Sequence, residues 1–213
     1  MNKNIREKCY ECFRPLSSCM CLHIRAVETK TKFVILMHPK EYRKIRNGTG
    51  HLTRLSLPNS ELHVGIDFSS HTRINEILDD EKNICYLLYP SKKSIEINSH
   101  KISCEGRNTV IFIIDSTWAC AKKMLRLSKK ISALQSISFT HTKKSEFAIK
   151  EQPEEYCLST IESVLSVMEL LNENGDERIE KESLEDFLNP FKKMIDFQIE
   201  YMQECQNPRF SLQ

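Results

Sequence analysis

The sequence predicts an α/β protein with a mostly parallel sheet and helices on both faces. Three observations carry this. The runs "TKFVILMHP", "NICYLLYP" and "TVIFIID" are apolar almost throughout, as strands covered on both faces are. Helical segments alternate with them, which places successive strands parallel. Residues of chemical interest (His38, Tyr89-Pro90, Asp115) stand where these runs end, and ligands gather at the carboxyl ends of such strands.

In chain order, residues 1–25 form a short cysteine-rich head. "TKFVILMHP" is a buried strand closed by Pro39. "KEYRKIRNGTGHLTRLSLP" is basic and partly helical, interrupted at Gly48 and Gly50. "ELHVGIDF" is a weak, short strand. "HTRINEILDDE" is a helix with Ile74, Ile77 and Leu78 on one face. "NICYLLYP" is a second buried strand stopped by proline, and "TVIFIID" is the strongest strand in the chain. "WACAKKMLRLSKK" reads as one helix and "LQSISFT" as a further strand. "CLSTIESVLSVMELLNE" is a long helix, with Ser159 as N-cap and Glu162 three residues on forming a capping box. "SLEDFLNPFKKMIDFQIEYMQEC" is a last helix bent at Pro190. The polar stretch 173–183 is the best linker candidate. The division expected is a head over 1–25, a catalytic domain over 26–172 and an acidic helical extension over 173–213.

A net charge of +2 hides an asymmetry. Residues 1–150 hold 26 Lys/Arg against 14 Asp/Glu; residues 151–204 hold 4 against 15. A basic body suits an anionic partner, although solvated helix faces explain the same counts. The acidic extension packing on the basic face of the body is one hypothesis for its role. No apolar run is long enough to span a bilayer, and "MNKNIREKCYEC" lacks the apolar stretch of a signal peptide. The expectation is a cytoplasmic protein.

Of nine cysteines, four fall at Cys9, Cys12, Cys19 and Cys21. Four soft ligands so closely spaced can close a tetrahedral zinc site, and we read zinc here. His23 is an alternative ligand, and reduced structural thiols are the alternative reading. An odd count without an export signal disfavours a disulfide framework. The basic Lys8, Arg14 and Arg25 of the head suit RNA.

None of the five glycines forms a dinucleotide fingerprint or a P-loop, and there is no G-x-S-x-G or H-E-x-x-H. Common dehydrogenase, kinase and hydrolase readings lose support. Asp115 ends "VIFII", half in an apolar core and half in the cleft, where it can accept a substrate N–H. Thr117 is placed to cap the next helix. Trp118, the only tryptophan, offers a flat face to a base. A capping pair beside a core tryptophan explains the same residues equally well. Lys122, Lys123, Arg126, Lys129 and Lys130 follow without one acid between residues 119 and 130, as a phosphate track would.

Asp115-x-Thr117-Trp118 resembles the signature of the DTW-domain family, tRNA-uridine aminocarboxypropyltransferases. The resemblance extends in order from residue 9 to about 170: "CYECFRPLSSCMCLHI", "HPKEYRKIRNGTG", "LLYPS", "IDSTW" and "EQPEEYCLSTIESV". It implies a SPOUT-like knotted fold. It implies S-adenosylmethionine as donor of a 3-amino-3-carboxypropyl group to N3 of a tRNA uridine, with methylthioadenosine released. Carried over, Tyr89, Pro90, Leu158, Ser159 and Thr160 wall the donor, and Asp115, Thr117 and Trp118 form the catalytic strand end. Arg43, Lys44 and Arg46 are expected on tRNA phosphates or on the donor's carboxylate, and Lys122, Lys123 and Arg126 on tRNA phosphates; a solvated face is the alternative. His38 is a proton shuttle or, more ordinarily, structural. Two departures stand out: His51 replaces an arginine found in many members, and "RLSKKISALQS" lacks their prolines. Partners expected are tRNA, with neither DNA nor membrane. A SPOUT-type methyltransferase and a non-enzymatic zinc RNA-binding protein are the competing readings.

Overall fold

The computed structural model describes residues 7–43, 48–102, 104–141, 145–146 and 158–206. Six strands form one sheet: β1 (Lys32–Met37), β2 (Ser60–Val64), β3 (Asn83–Leu88), β4 (Ile95–Glu96), β5 (Asn108–Asp115) and β6 (Gln135–Ser138). Their order is β2-β1-β5-β3-β6-β4, and every pairing among them is parallel. The helices are α1 (Pro39–Tyr42), α2 (Thr49–Ser56), α3 (Thr72–Asp79), α4 (Trp118–Leu127), α5 (Lys129–Ser132), α6 (Thr160–Glu173), α7 (Lys181–Asp186) and α8 (Asn189–Gln206).

The central strands are apolar throughout because both faces are covered. Phe33, Ile111 and Ile113 pack with Leu52 of α2, Val164 and Met168 of α6, and Phe191 of α8. Val34, Leu36, Val110 and Phe112 join Ile74 and Ile77 of α3, Met124 of α4 and Ile131 of α5 on the other face. The two-residue period of a strand produces this division. Truncating the fully buried Phe112 to alanine removes packing of the kind that contributes about 3–5 kcal/mol.

Three elements differ from the sequence reading. β4 was not anticipated; two residues carry no period, and only pairing with Ile137 and Ser138 defines it. The basic helix is two helices, α4 and α5, divided at Ser128. That buried hydroxyl accepts the Phe68 N–H (3.0 Å), a partner 60 residues away. The last helix is not bent at Pro190. α7 ends at Asp186, and Pro190 lies in the first turn of α8, where its missing N–H loses no helical bond. Asn189 Nδ2 bonds Asp186 Oδ1 across the break (2.8 Å).

The segment read as a linker is tied down. Glu177 is buried and accepts the N–H groups of Lys30 (3.0 Å) and Thr31 (2.6 Å), just before β1. Asn172 bonds both the N–H and the carbonyl of Ile179. Beyond it, Leu184, Phe187, Phe191 and Met194 share the core of the sheet, so apolar burial holds this part of the chain.

On edge strand β2, Glu61 meets Lys32 (2.6 Å), Arg73 (2.7 Å) and His63 (3.0 Å). Burial pushes its carboxyl up, but bonds from Arg73, Lys32 and His63 prevail and hold it at about 2, against an ordinary 4.5. A carboxyl so depressed stabilises the fold fully above pH 4.5, and the contribution is lost as pH falls toward 2. Glu61→Gln is therefore expected to cost about 1 kcal/mol at pH 7, the pairs being partly screened, and to be neutral near pH 2. Urea melts at both pH values measure this; an equal deficit at both would count against the ion cluster.

Candidate active site

Three neighbouring strand ends build the site. Met37 of β1 is in register with Asp115 of β5, and Leu88 of β3 with Ile113. His38, Ser116 and Tyr89 therefore emerge together at the carboxyl edge of the sheet. The Asp115 carbonyl accepts the His38 N–H (3.0 Å), which extends the β1–β5 ladder by one bond.

The Asp115 carboxylate is held from two sides. Thr160, the first residue of α6, donates its hydroxyl to Oδ1 (3.0 Å). On the other side lies Gly50, the second residue of α2. A β-carbon there would stand 2.2 Å from Asp115 Oδ2 and 2.7 Å from Met37 Cε. Both helices thus bring their amino-terminal turns to the carboxylate, and the positive ends of their dipoles attract its charge.

Trp118 opens α4 and is 47% exposed. Its ring meets Tyr89 edge to face, with centroids 5.9 Å apart at 64°. The predicted donor wall and the predicted catalytic strand end thus touch at two places, Thr160–Asp115 and Tyr89–Trp118. Pro90 follows Tyr89 in the open. Thr117 occupies the N-cap position of α4, but its side chain makes no capping bond. The cap expected of it is absent; its carbonyl instead accepts the Ala121 N–H (2.8 Å).

Leu158 and Ser159 lead into α6, and Glu162 closes the predicted capping box. This buried carboxylate accepts the Ser159 N–H (2.8 Å) and hydroxyl (2.6 Å). It also accepts the Glu146 N–H (2.7 Å) and the Ser145 hydroxyl (2.9 Å). Glu162 therefore fixes the start of the helix that carries Thr160. His38 is structural here: its Nδ1 caps α1 by accepting the Lys40 N–H (3.1 Å). Burial lowers its pKa, and the charges of Lys40 and Lys123 act in the same direction.

α4 buries Ala121 and Met124 and exposes Lys122, Lys123 and Arg126. Arg43 is exposed at the end of α1; Lys44 and Arg46 lie outside the described residues. Lys130 is engaged by Asp79 (2.8 Å).

In the head, the sulfurs of Cys9, Cys12, Cys19 and Cys21 all lie within 4.8 Å of one another. Cys9 and Cys21 are 3.6 Å apart, and Cys12 and Cys19 3.7 Å. Tetrahedral zinc with thiolate bonds of about 2.3 Å places sulfurs about 3.8 Å apart, so the set fits. Backbone N–H groups, that of Cys12 foremost, lower Cys9 to about 6. Burial raises Cys19 and Cys21. Arg14 is buried beside the cluster, with Nη2 3.4 Å from Met194 Sδ on α8. Desolvation lowers its pKa while the neighbouring cysteines oppose that shift.

The DTW domain model matches residues 6–199. The chain belongs to the DTW-domain family. It is 31% identical over 183 residues to a Drosophila melanogaster protein named tRNA-uridine aminocarboxypropyltransferase 2, covering 82% of this chain and 70% of that one. It is 27% identical over 210 residues to the Macaca fascicularis protein of the same name (92% and 65%). An Arabidopsis thaliana tRNA-uridine aminocarboxypropyltransferase A is 25% identical over 225 residues (92% and 83%). The chain thus spans about two thirds of the length of these animal relatives. No solved structure matches it. No helix among the described residues is long and apolar enough to cross a membrane.

Two residues of this DTW site escaped the sequence reading. Gly50 was visible only as a break in a basic helix, and Glu162 only as a capping partner. "GTG" and "STIE" were the signals, but nothing local says that both helix starts meet one aspartate.

Proposed function

We propose that this chain transfers the 3-amino-3-carboxypropyl group of S-adenosylmethionine to N3 of a tRNA uridine and releases methylthioadenosine. The observation that carries the proposal is Asp115 held between Thr160 and Gly50 beside the Tyr89–Trp118 pair, in a DTW-domain chain whose curated relatives bear that name.

The sulfonium of the donor activates each carbon bonded to it, so the outcome depends on which carbon is presented to the nucleophile. Tyr89, Pro90, Leu158, Ser159 and Thr160 would wall the donor. Asp115 would accept the uridine N3–H, and Trp118 would pack against the base. As the N3–C bond forms, the C–S bond breaks and its electron pair returns to sulfur; the N3 proton leaves through Asp115. Arg43, Lys122, Lys123 and Arg126 would meet tRNA phosphates, which position the substrate without reading its sequence.

The four head cysteines would hold zinc. When bound, the metal supplies structure, drawing two short segments into one rigid unit. A knotted, SPOUT-like arrangement and a division into residues 1–25, 26–172 and 173–213 belong to the same reading. The all-parallel order β2-β1-β5-β3-β6-β4 supports the SPOUT-like arrangement.

The deciding experiment incubates the protein with unmodified tRNA and, in parallel, carboxyl-labelled and methyl-labelled S-adenosylmethionine; label from the carboxyl-labelled donor is the one that reports the proposed transfer. Label in the RNA is expected. If only methyl label enters the RNA, the protein is a methyltransferase; if neither does, the catalytic reading fails.

A further inference from the structure

Among the described residues few large apolar side chains are exposed, and their placement is uneven. Among the described residues, Tyr10, Phe13, Leu16 and Leu22 of the head are exposed, Tyr10 at 93% and Leu22 at 85%. Patches of this kind mark surfaces that meet a partner. Part of this one runs toward the site. Phe13 (44% exposed) meets the ring of His51 at 6.1 Å, and His51 meets Tyr42 (38% exposed) at 5.1 Å. Three aromatic rings from the head, α2 and α1 thus form one row.

His51 and Tyr42 each connect to Asp115 through one neighbouring residue. His51 follows Gly50, which packs on the Asp115 carboxylate. Tyr42 ends the helix capped by His38, whose N–H bonds the Asp115 carbonyl. The row is therefore a continuation of the site's edge.

Two further facts concern its chemistry. Phe13 has φ +58°, a left-handed conformation that glycine adopts freely and that disfavours a bulky residue. A large aromatic is thus kept exposed at a position where its backbone is strained. His51 is buried, and burial followed by the charge of Arg14 lowers its pKa. It joins the row through ring packing against Phe13 and Tyr42. The cations lie alongside: Lys40 and Arg43 are exposed on and just after α1, and Lys8 precedes Tyr10.

Flat exposed rings with cations beside them suit unpaired nucleobases, which stack on aromatic faces while their phosphates meet Lys and Arg. We propose that Phe13 and Tyr42, bridged by His51, form a stacking platform for the unpaired tRNA bases that flank the target uridine. This rests on the tRNA reading above and adds where the RNA lies: across α1 and α2 to the head. The cations of α4 would form the other side of the path.

The test uses the full chain and unmodified tRNA. Phe13→Leu and Tyr42→Leu keep apolar volume but remove the flat ring; Tyr42→Phe keeps it. Each leucine variant is expected to weaken tRNA binding about tenfold and to raise KM for tRNA while sparing kcat. Affinity for S-adenosylmethionine and the thermal midpoint should be unchanged, and Tyr42→Phe should bind as the parent does. Leucine variants that melt normally and bind tRNA like the parent overturn the platform while leaving the transferase reading intact, and would assign this surface to a protein contact. If Phe13→Leu lowers the melting point, Tyr42→Leu decides alone. A parent protein that neither binds nor modifies tRNA overturns both readings together.

Discussion

Asp115→Asn is expected to lower aminocarboxypropyl transfer by about 10²- to 10⁴-fold, the range typical of losing a positioned proton acceptor. The substitution preserves shape. An amide oxygen can still take the Thr160 hydroxyl bond now made to Oδ1 at 3.0 Å. The second oxygen, packed toward Gly50, becomes an NH₂ that can accept nothing. Binding of S-adenosylmethionine, which the proposed function assigns to the loops after β3 and before α6, should be retained. Single-turnover transfer to tRNA, beside calorimetric donor affinity, separates the two effects. Full transfer with normal donor binding would remove Asp115 from the chemistry.

Gly50→Ala should have the second largest effect. The added carbon would enter a space already filled by Asp115 Oδ2 at 2.2 Å and Met37 Cε at 2.7 Å. Neither neighbour yields easily. Met37 is fully buried in β1, and Asp115 is tied through its carbonyl to His38 and through its carboxylate to Thr160. Overpacking of this kind costs about 1–3 kcal/mol. Its effect on transfer should be larger, about 10²-fold, because a shift near 1 Å at a reacting group is that costly. Urea denaturation and transfer rates measured on one preparation would show whether activity falls further than stability. An alanine variant with parental rate and midpoint would mean that the α2 backbone moves aside at no cost.

The central strands were readable because each of their residues is buried on one face or the other, which leaves an uninterrupted apolar run. Asp115 and Trp118 were readable for a related reason: polar chemistry begins abruptly where the run ends. The features missed depend on partners far along the chain. Ser128 divides a helix because Phe68 needs an acceptor, and no window around residue 128 contains that fact. Gly50 is required by the Asp115 carboxylate, 65 positions later. Thr117 had the residue type and position of a cap, yet its hydroxyl makes no capping bond. His51 looked like a lost cation; its setting is an aromatic row and a buried ring. The four cysteines could be grouped from spacing, because two of the three intervals between them are very short and all four fall within thirteen positions.

The Glu177 clamp has a consequence for how the molecule is made. Its carboxylate accepts the N–H of Thr31 at the threshold of the first strand, 146 residues earlier in the chain. At a synthesis rate of about 5–20 residues per second, that threshold waits roughly 7–30 s for its acceptor. During that interval Phe33 through Met37, all buried in the finished protein, have emerged without the helices that later cover one face of the sheet. The latch on the first strand is thus set only after all six strands have been made, and a ribosome that stops short of Glu177 releases a chain with that strand unlatched.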